Sequence, residues 1–131
     1  YETYAKTINI EALTMVAMAG RQYIPAVIKY SKSLADSVIA LKSAGAEAHV
    51  QAELLNAVSA KLAASKDALT RLEKAVAEAG TVHNAKEQAF FYKDTVKAVM
   101  DELRAPIDEL EMIVDKEMWP VPSYADLTFE V

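Results

Sequence analysis

The sequence predicts an all-α fold: an elongated up-down-up antiparallel three-helix bundle with coiled-coil-like seams and an extended C-terminal tail. Three observations predict it. Twenty-four alanines stand against three glycines in 131 residues, a helical composition, because alanine loses least on entering a helix. Apolar residues recur at alternating three- and four-residue steps through three long stretches. Gly45 and Gly80 lie between those stretches, where a glycine ends a helix by taking a left-handed conformation.

The first helix is expected over about residues 10–43, after an N-terminal arm of residues 1–9. Asn9 has the side chain of an N-cap, and Ile8 with Leu13 would form a hydrophobic staple. A seam then runs Ile10, Leu13, Ala17, Gly20, Ile24, Val27, Ser31, Leu34, Val38, Leu41. Val16, Tyr23 and Tyr30 widen it, as suits a helix with two neighbours. Pro25 removes a donor and crowds the carbonyl of Arg21, so a kink is expected there. Gly20, inside the periodic stretch, calls for a packing explanation.

The second helix is expected over about residues 46–79, with the seam Leu55, Val58, Leu62, Ser65, Leu69, Leu72, Val76, Ala79. Its opening, AEAHVQAE, is weakly apolar and should fray or project. The third is expected over about residues 82–118, beginning on Asn84 with Glu87 as a variant capping box. Its seam is Ala85, Ala89, Tyr92, Val96, Val99, Leu103, Ile107, Leu110, Val114, with a bend at Pro106. Pro120 and Pro122 stop it. Helices of this length span roughly 50 Å at 1.5 Å per residue. The short connections make successive helices antiparallel neighbours. Small seam residues, Ala17, Gly20, Ser31 and Ser65, allow close approach.

The bulk numbers exclude several classes. The chain has the size of one domain. It has no cysteine, so disulfides and thiolate metal sites are excluded. The net charge of −5 argues against a nucleic-acid partner. No apolar run reaches membrane-spanning length. The start at Tyr1, in mid-pattern, reads as a piece of a longer protein.

Candidate chemistry is sparse. His49 with Glu53 and His83 with Glu87 are each four apart and would share a helix face. They fall at opposite ends of the bundle, and two ligands are too few for a structural zinc. The acidic stretch Asp101, Glu102, Asp108, Glu109, Glu111, Asp115, Glu117 reads as a solvated face, with docking of a basic partner as the alternative. Asp101, Asp108 and Asp115 lie two turns apart and do not converge on one ion. Phe90, Phe91 and Tyr92 are consecutive and cannot all face one core. Tyr92 fits the seam, so at least one phenylalanine must point elsewhere. Lys86, Lys93 and Lys97 form a modest solvated stripe. No nucleophile context and no phosphate-cradling glycine loop occurs. The expectation is therefore no catalytic, cofactor-binding or metal residue in this segment. The tail, residues 119–131, is expected to be anchored through Trp119, Tyr124, Leu127 and Phe129.

Four stretches carry a resemblance: KTINIEALTM (6–15), IPAVIKY (24–30), ELRAPIDELE (102–111) and WPVPSYADLTF (119–129). Together they resemble the C-terminal helical region of type III glutamine synthetases, a large bacterial form of the enzyme. Residues 46–80 add nothing specific. The resemblance implies a longer cytoplasmic parent that joins ammonia to glutamate with ATP and Mg or Mn, through a γ-glutamyl phosphate. It also implies that the metal and nucleotide residues lie upstream, so none is carried over to this chain. Its implied partners are the upstream catalytic domains and neighbouring subunits of a stacked-ring assembly, with no nucleic acid and no membrane. The segment would be a non-catalytic accessory domain. The alternative is a self-standing helical interaction module that pairs through its seams.

Overall fold

The computed structural model describes residues 1–120, and within them the chain is all-helical. Three rods follow one another. The first is α1 (Glu2–Met18), a π-helical turn (Ala19–Tyr23) and α2 (Ile24–Ser43). The second is α3 (His49–Ala79). The third is α4 (Ala85–Phe91), a second π turn (Tyr92–Val96) and α5 (Lys97–Glu111).

α3 packs along α2 on one side and along α5 on another. Lys61 meets Glu109 and Arg71 meets Glu102, so residue numbers run in opposite senses along α3 and α5. Between the first and third rods they rise together. The Tyr1 ring meets the Phe90 ring, Asn9 meets Tyr92, and Tyr23 meets Trp119. The core runs between the rods through Val27, Val58, Ser65, Leu72, Val96, Met100, Leu103 and Leu110, all under 2% exposed. Ser65 satisfies its buried hydroxyl by donating to the Lys61 carbonyl at 2.8 Å.

The seams of α3 and the third rod face the core as expected. The first rod departs from expectation. Residues 1–9 are no arm: α1 begins at Glu2. Asn9 is not a cap but a mid-helix residue, and its Oδ1 accepts a 3.1 Å hydrogen bond from the Tyr92 hydroxyl. Ile8 is buried while Leu13 is exposed, so no staple forms. The buried face of α1 is Ala5, Ile8 and Ala12, continued by Ala19 at the start of the π turn. Ile10, Leu13, Ala17 and Gly20 all lie exposed.

The physical reason is the π turn. It closes with the Ile24 amide donating to the Ala19 carbonyl, five residues back, and so absorbs one extra residue. An unbroken heptad frame carried back from Leu34 and Val27 reaches Gly20 and Leu13. With one residue absorbed, it reaches Ala19, Ala12 and Ala5. Pro25 stands just after this turn, where its ring would otherwise crowd the Arg21 carbonyl. The expected disturbance near Pro25 thus takes the form of a widened turn.

Other boundaries also shift. α3 begins at His49 rather than near residue 46, leaving residues 46–48 in the connection. Asn84 caps α4 as read, its Oδ1 accepting from the Glu87 amide at 3.0 Å. α5 ends at Glu111, not near residue 118. Asp115 organises a separate turn there: its side chain accepts from the Glu117 amide, and its carbonyl from Met118 and Trp119.

The glycines divide. Gly45 has φ +77°, and the Ala46 amide reaches back to Leu41 and that of Gly45 to Lys42, the Schellman arrangement. Gly80 instead keeps φ −66°. Thr81 and Gln88 side chains supply donors to the Glu78 and Ala79 carbonyls, so no left-handed residue is needed. Gly20 is not held by packing: a Cβ there would meet Leu69 Cδ2 at an ordinary 3.6 Å. Of the expected tail anchors, Trp119 is buried; Tyr124, Leu127 and Phe129 lie outside the described residues. No helix among the described residues is long and apolar enough to cross a membrane.

Candidate functional site

Because Ala12 and Ala19 bring α1 in on small side chains, the longer residues beside them fall at its edge. Met15, Met18 and Tyr23 stand there, opposite Leu103 and Ile107 of α5. Between them opens an apolar groove of about 420 Å³. Glu11, Arg104 and Asp108 also line it. Arg104 is partly engaged by Asp101 at 3.3 Å. Exposed Ile10 stands at one end.

Tyr23 lies at the other end of the α1 wall and stacks on Trp119, ring centroids 5.0 Å apart and planes 18° from parallel. Burial pushes the Tyr23 phenol above its ordinary 10.0, and the charges of Glu111 and Asp108 add to the shift. Trp119 is buried, yet its Nε1 has no hydrogen-bond partner among the described residues. A groove with methionines and aromatics suits apolar side chains of varied shape.

The sequence-predicted candidates do not gather here. His49 is exposed and lies 3.0 Å from Glu47, not beside Glu53. His83 is exposed beyond the far end of α3, and α3 alone separates the two by roughly 46 Å at 1.5 Å per residue. The acidic stretch splits. Glu102 binds Arg71 at 3.1 Å and Glu109 binds Lys61 at 2.7 Å, both across to α3. Asp108 and Glu111 face Tyr23. Phe90, Phe91 and Tyr92 separate as their spacing required: Tyr92 is buried, Phe91 packs at the core's edge, and Phe90 is 45% exposed.

Nowhere among the described residues do three or more His, Asp or Glu side chains come together. Sequence reasoning missed the groove itself, the Asn9–Tyr92 bond and the two cross-rod ion pairs. Only the ion pairs left a signal, opposite charges flanking two seams.

The architecture defines a class: a helical domain that offers an apolar groove and ion-paired helix faces. Comparison with known proteins shows what the chain is similar to. The family model for the glutamine synthetase C-terminal domain matches residues 1–42, the first rod almost entire. The chain is 29% identical over 134 residues to a glutamine synthetase of Bacteroides fragilis, covering 98% of this chain and 18% of that protein. It is 30% identical over 132 residues to one of Butyrivibrio fibrisolvens, covering 99% and 19%. It is also 29% identical over 138 residues to the type-3 glutamine synthetase of Dictyostelium discoideum, covering 98% and 18%. The resemblance to the C-terminal region of type III glutamine synthetases is borne out, and it extends through residues 46–80 as well as the four motifs. The chain spans just under a fifth of the length of these relatives.

Proposed function

We propose that this chain is a non-catalytic C-terminal accessory domain of a type III glutamine synthetase. Its longer parent would make glutamine in the cytoplasm from glutamate, ammonia and ATP with Mg or Mn. The observation that carries the reading is the similarity along 98–99% of the chain to proteins of which it is only 18–19%. In this reading the catalytic groups belong to upstream domains. The helical segment contributes surface, against those domains or against neighbouring subunits in the ring. The exposed stripe of Ile10 and Leu13 supports such a role, since large apolar residues at the surface of a helix suit contact with further protein.

The test compares three proteins: the longer gene product, the same protein lacking this segment, and the segment alone. The segment alone is expected to give no glutamine or γ-glutamyl hydroxamate with all substrates and metal supplied. The longer protein is expected to be active, and removal of the segment to change its assembly size by light scattering. Turnover by the segment alone would overturn the non-catalytic reading. An upstream reading frame with no ligase activity would overturn the parentage.

A further inference from the structure

We propose that the groove between α1 and α5 receives the outward face of α2 from a second copy of the chain, so that copies associate head to tail. The inference rests on two surfaces of this chain and not on the enzymatic reading above, which has its own test.

The first surface is on α2. Ile28 and Ile39 are 52% and 65% exposed. They stand eleven residues apart, about three turns at 3.6 residues per turn, and so share one face. Ala35 lies between them on that face. Lys29 flanks one end and Lys42 the other, and neither belongs to an ion pair among the described residues. Lys32, also on this face, is held by Asp36 at 2.9 Å. The result is an apolar stripe with a basic group at each end.

The groove is its counterpart. Its middle is apolar, with Met15, Met18 and Ile107. Glu11 lies toward the Ile10 end. Asp108 lies at the Tyr23 end, where Glu111 also faces the phenol. Arg104, the one cation among the lining residues, is engaged by Asp101. The spacings agree. Glu11 to Tyr23 along α1 is roughly 18 Å, and Lys29 to Lys42 along α2 roughly 20 Å, both at 1.5 Å per residue. A helix laid along the groove sets a lysine near carboxylate at both ends and the isoleucines over the methionines. Apolar anchors supply the affinity of such a contact, and the opposite charges fix its register.

α2 continues the rod that α1 begins, so it cannot fold back onto its own groove. The contact is therefore between copies. Its two surfaces differ, so it repeats around a ring or along a chain. The other exposed basic patch with large apolar groups, Tyr1 and Phe90 beside Lys93, is divided between two helices. It offers no single stripe to lie in a groove.

Sedimentation and light scattering on four variants and one mixture test the assignment. The groove variant is Glu11→Lys with Asp108→Lys. The stripe variant is Ile28→Ser with Ile39→Ser. Phe90→Ser is the control. Every altered side chain is exposed, and unchanged helical circular dichroism checks the fold. The parent chain is expected to run above the monomer mass, and Phe90→Ser to match it. The groove and stripe variants are each expected to be monomeric, since loss of each buried isoleucine weakens association about tenfold or more. Their equimolar mixture is expected to give a discrete one-to-one dimer, because one variant keeps an intact stripe and the other an intact groove. That dimer also shows that neither variant is merely misfolded. A parent chain that stays monomeric at about 0.5 mM, near the weak end of specific association, would overturn the proposal. So would a mixture that stays monomeric, a groove or stripe variant that associates like the parent, or loss of association in Phe90→Ser.

Discussion

In α5, Leu103, Ile107 and Leu110 are no more than 8% exposed, whereas in α1 Ile10 and Leu13, part of an equally regular stripe, are 64% and 50% exposed. Both stripes step by three and four. They differ in what precedes or follows them. The α5 stripe runs without interruption from Lys97 to Glu111, so each turn inherits the phase of the last. The α1 stripe is separated from α2 by the π turn at Ala19–Tyr23, and one absorbed residue rotates its claim on the core. In the first rod the stripe does not carry its face across the π turn. The residues that do face the core in α1 are mostly alanines, which bring the helix close enough for Asn9 to reach the Tyr92 hydroxyl.

The largest test of this contrast is deletion. Removing exposed Ala105 from α5 would turn Ile107, Leu110 and Val114 by about 100° relative to Leu103. Each of those buried side chains contributes about 1.5–3 kcal/mol. Their joint loss rivals a typical domain stability of about 5–15 kcal/mol. No cooperative thermal transition is expected. Removing exposed Gln22 from the π turn should act differently. A plain α-helix without that residue sets Ala19 seven positions before Val27, which keeps both buried faces in phase. Because the widened turn also relieves Pro25, the deletion is paired with Pro25→Ala. The double variant is expected to lose only about 1–2 kcal/mol by urea denaturation, the range of an ordinary surface or helix change. If it proves as crippled as the Ala105 deletion, the π turn does not set the phase of α1.

Side-chain truncation makes the same comparison at single residues. Leu103→Ala should cost about 2–5 kcal/mol, the transfer loss plus a cavity. Leu13→Ala, at the surface of α1, should stay within about 0.5 kcal/mol. A large loss at Leu13 in the isolated chain would mean that its stripe is covered.

These contrasts also mark what was legible beforehand. The seam of the third rod could be read because Ala89, Tyr92, Val96, Leu103 and Leu110 carry the burial and the spacing together. Asn84 could be read as a cap because capping is local, decided within four residues. The phase of α1 could not, because a π turn has no composition of its own; Pro25 marked a disturbance but not its hand. The end of α5 at Glu111 was also hidden, since Asp115 stops the rod with a turn before the prolines act. The groove was the least legible feature. It exists because two rods share a direction while one of them turns alanines inward, and neither fact is visible in a stripe taken alone. The ion pairs Lys61–Glu109 and Arg71–Glu102 join positions 48 and 31 residues apart and needed the packing.

Gly20 gives a smaller, opposite effect. It lies in the π turn with ordinary room for a Cβ and without a left-handed φ. Gly20→Ala is expected to stabilise the chain by about 0.5–1 kcal/mol, the usual helix-interior difference. A loss instead would show that the turn needs glycine's freedom, and that its phase shift depends on this residue.

The smallest effect concerns the joint where the two regions meet. Tyr23 stands at the end of the π turn, facing Glu111 and Asp108 of α5, and burial first and those charges second raise its phenol above 10.0. The unfolded chain releases this proton near 10.0, the folded chain at higher pH. Stability from Tyr23 is therefore complete below pH 10.0 and falls as pH rises through the folded value, because the unfolded state then binds fewer protons. Tyr23→Phe removes that dependence. Urea midpoints of the parent and the variant, followed from neutral pH upward, should keep a constant difference until pH 10.0 and then move in the variant's favour. Tyr92, also raised by burial, is present in both proteins and cancels. A difference that stays flat through the alkaline range would place the Tyr23 hydroxyl in open solvent, and would detach the first rod's joint from the acidic end of α5.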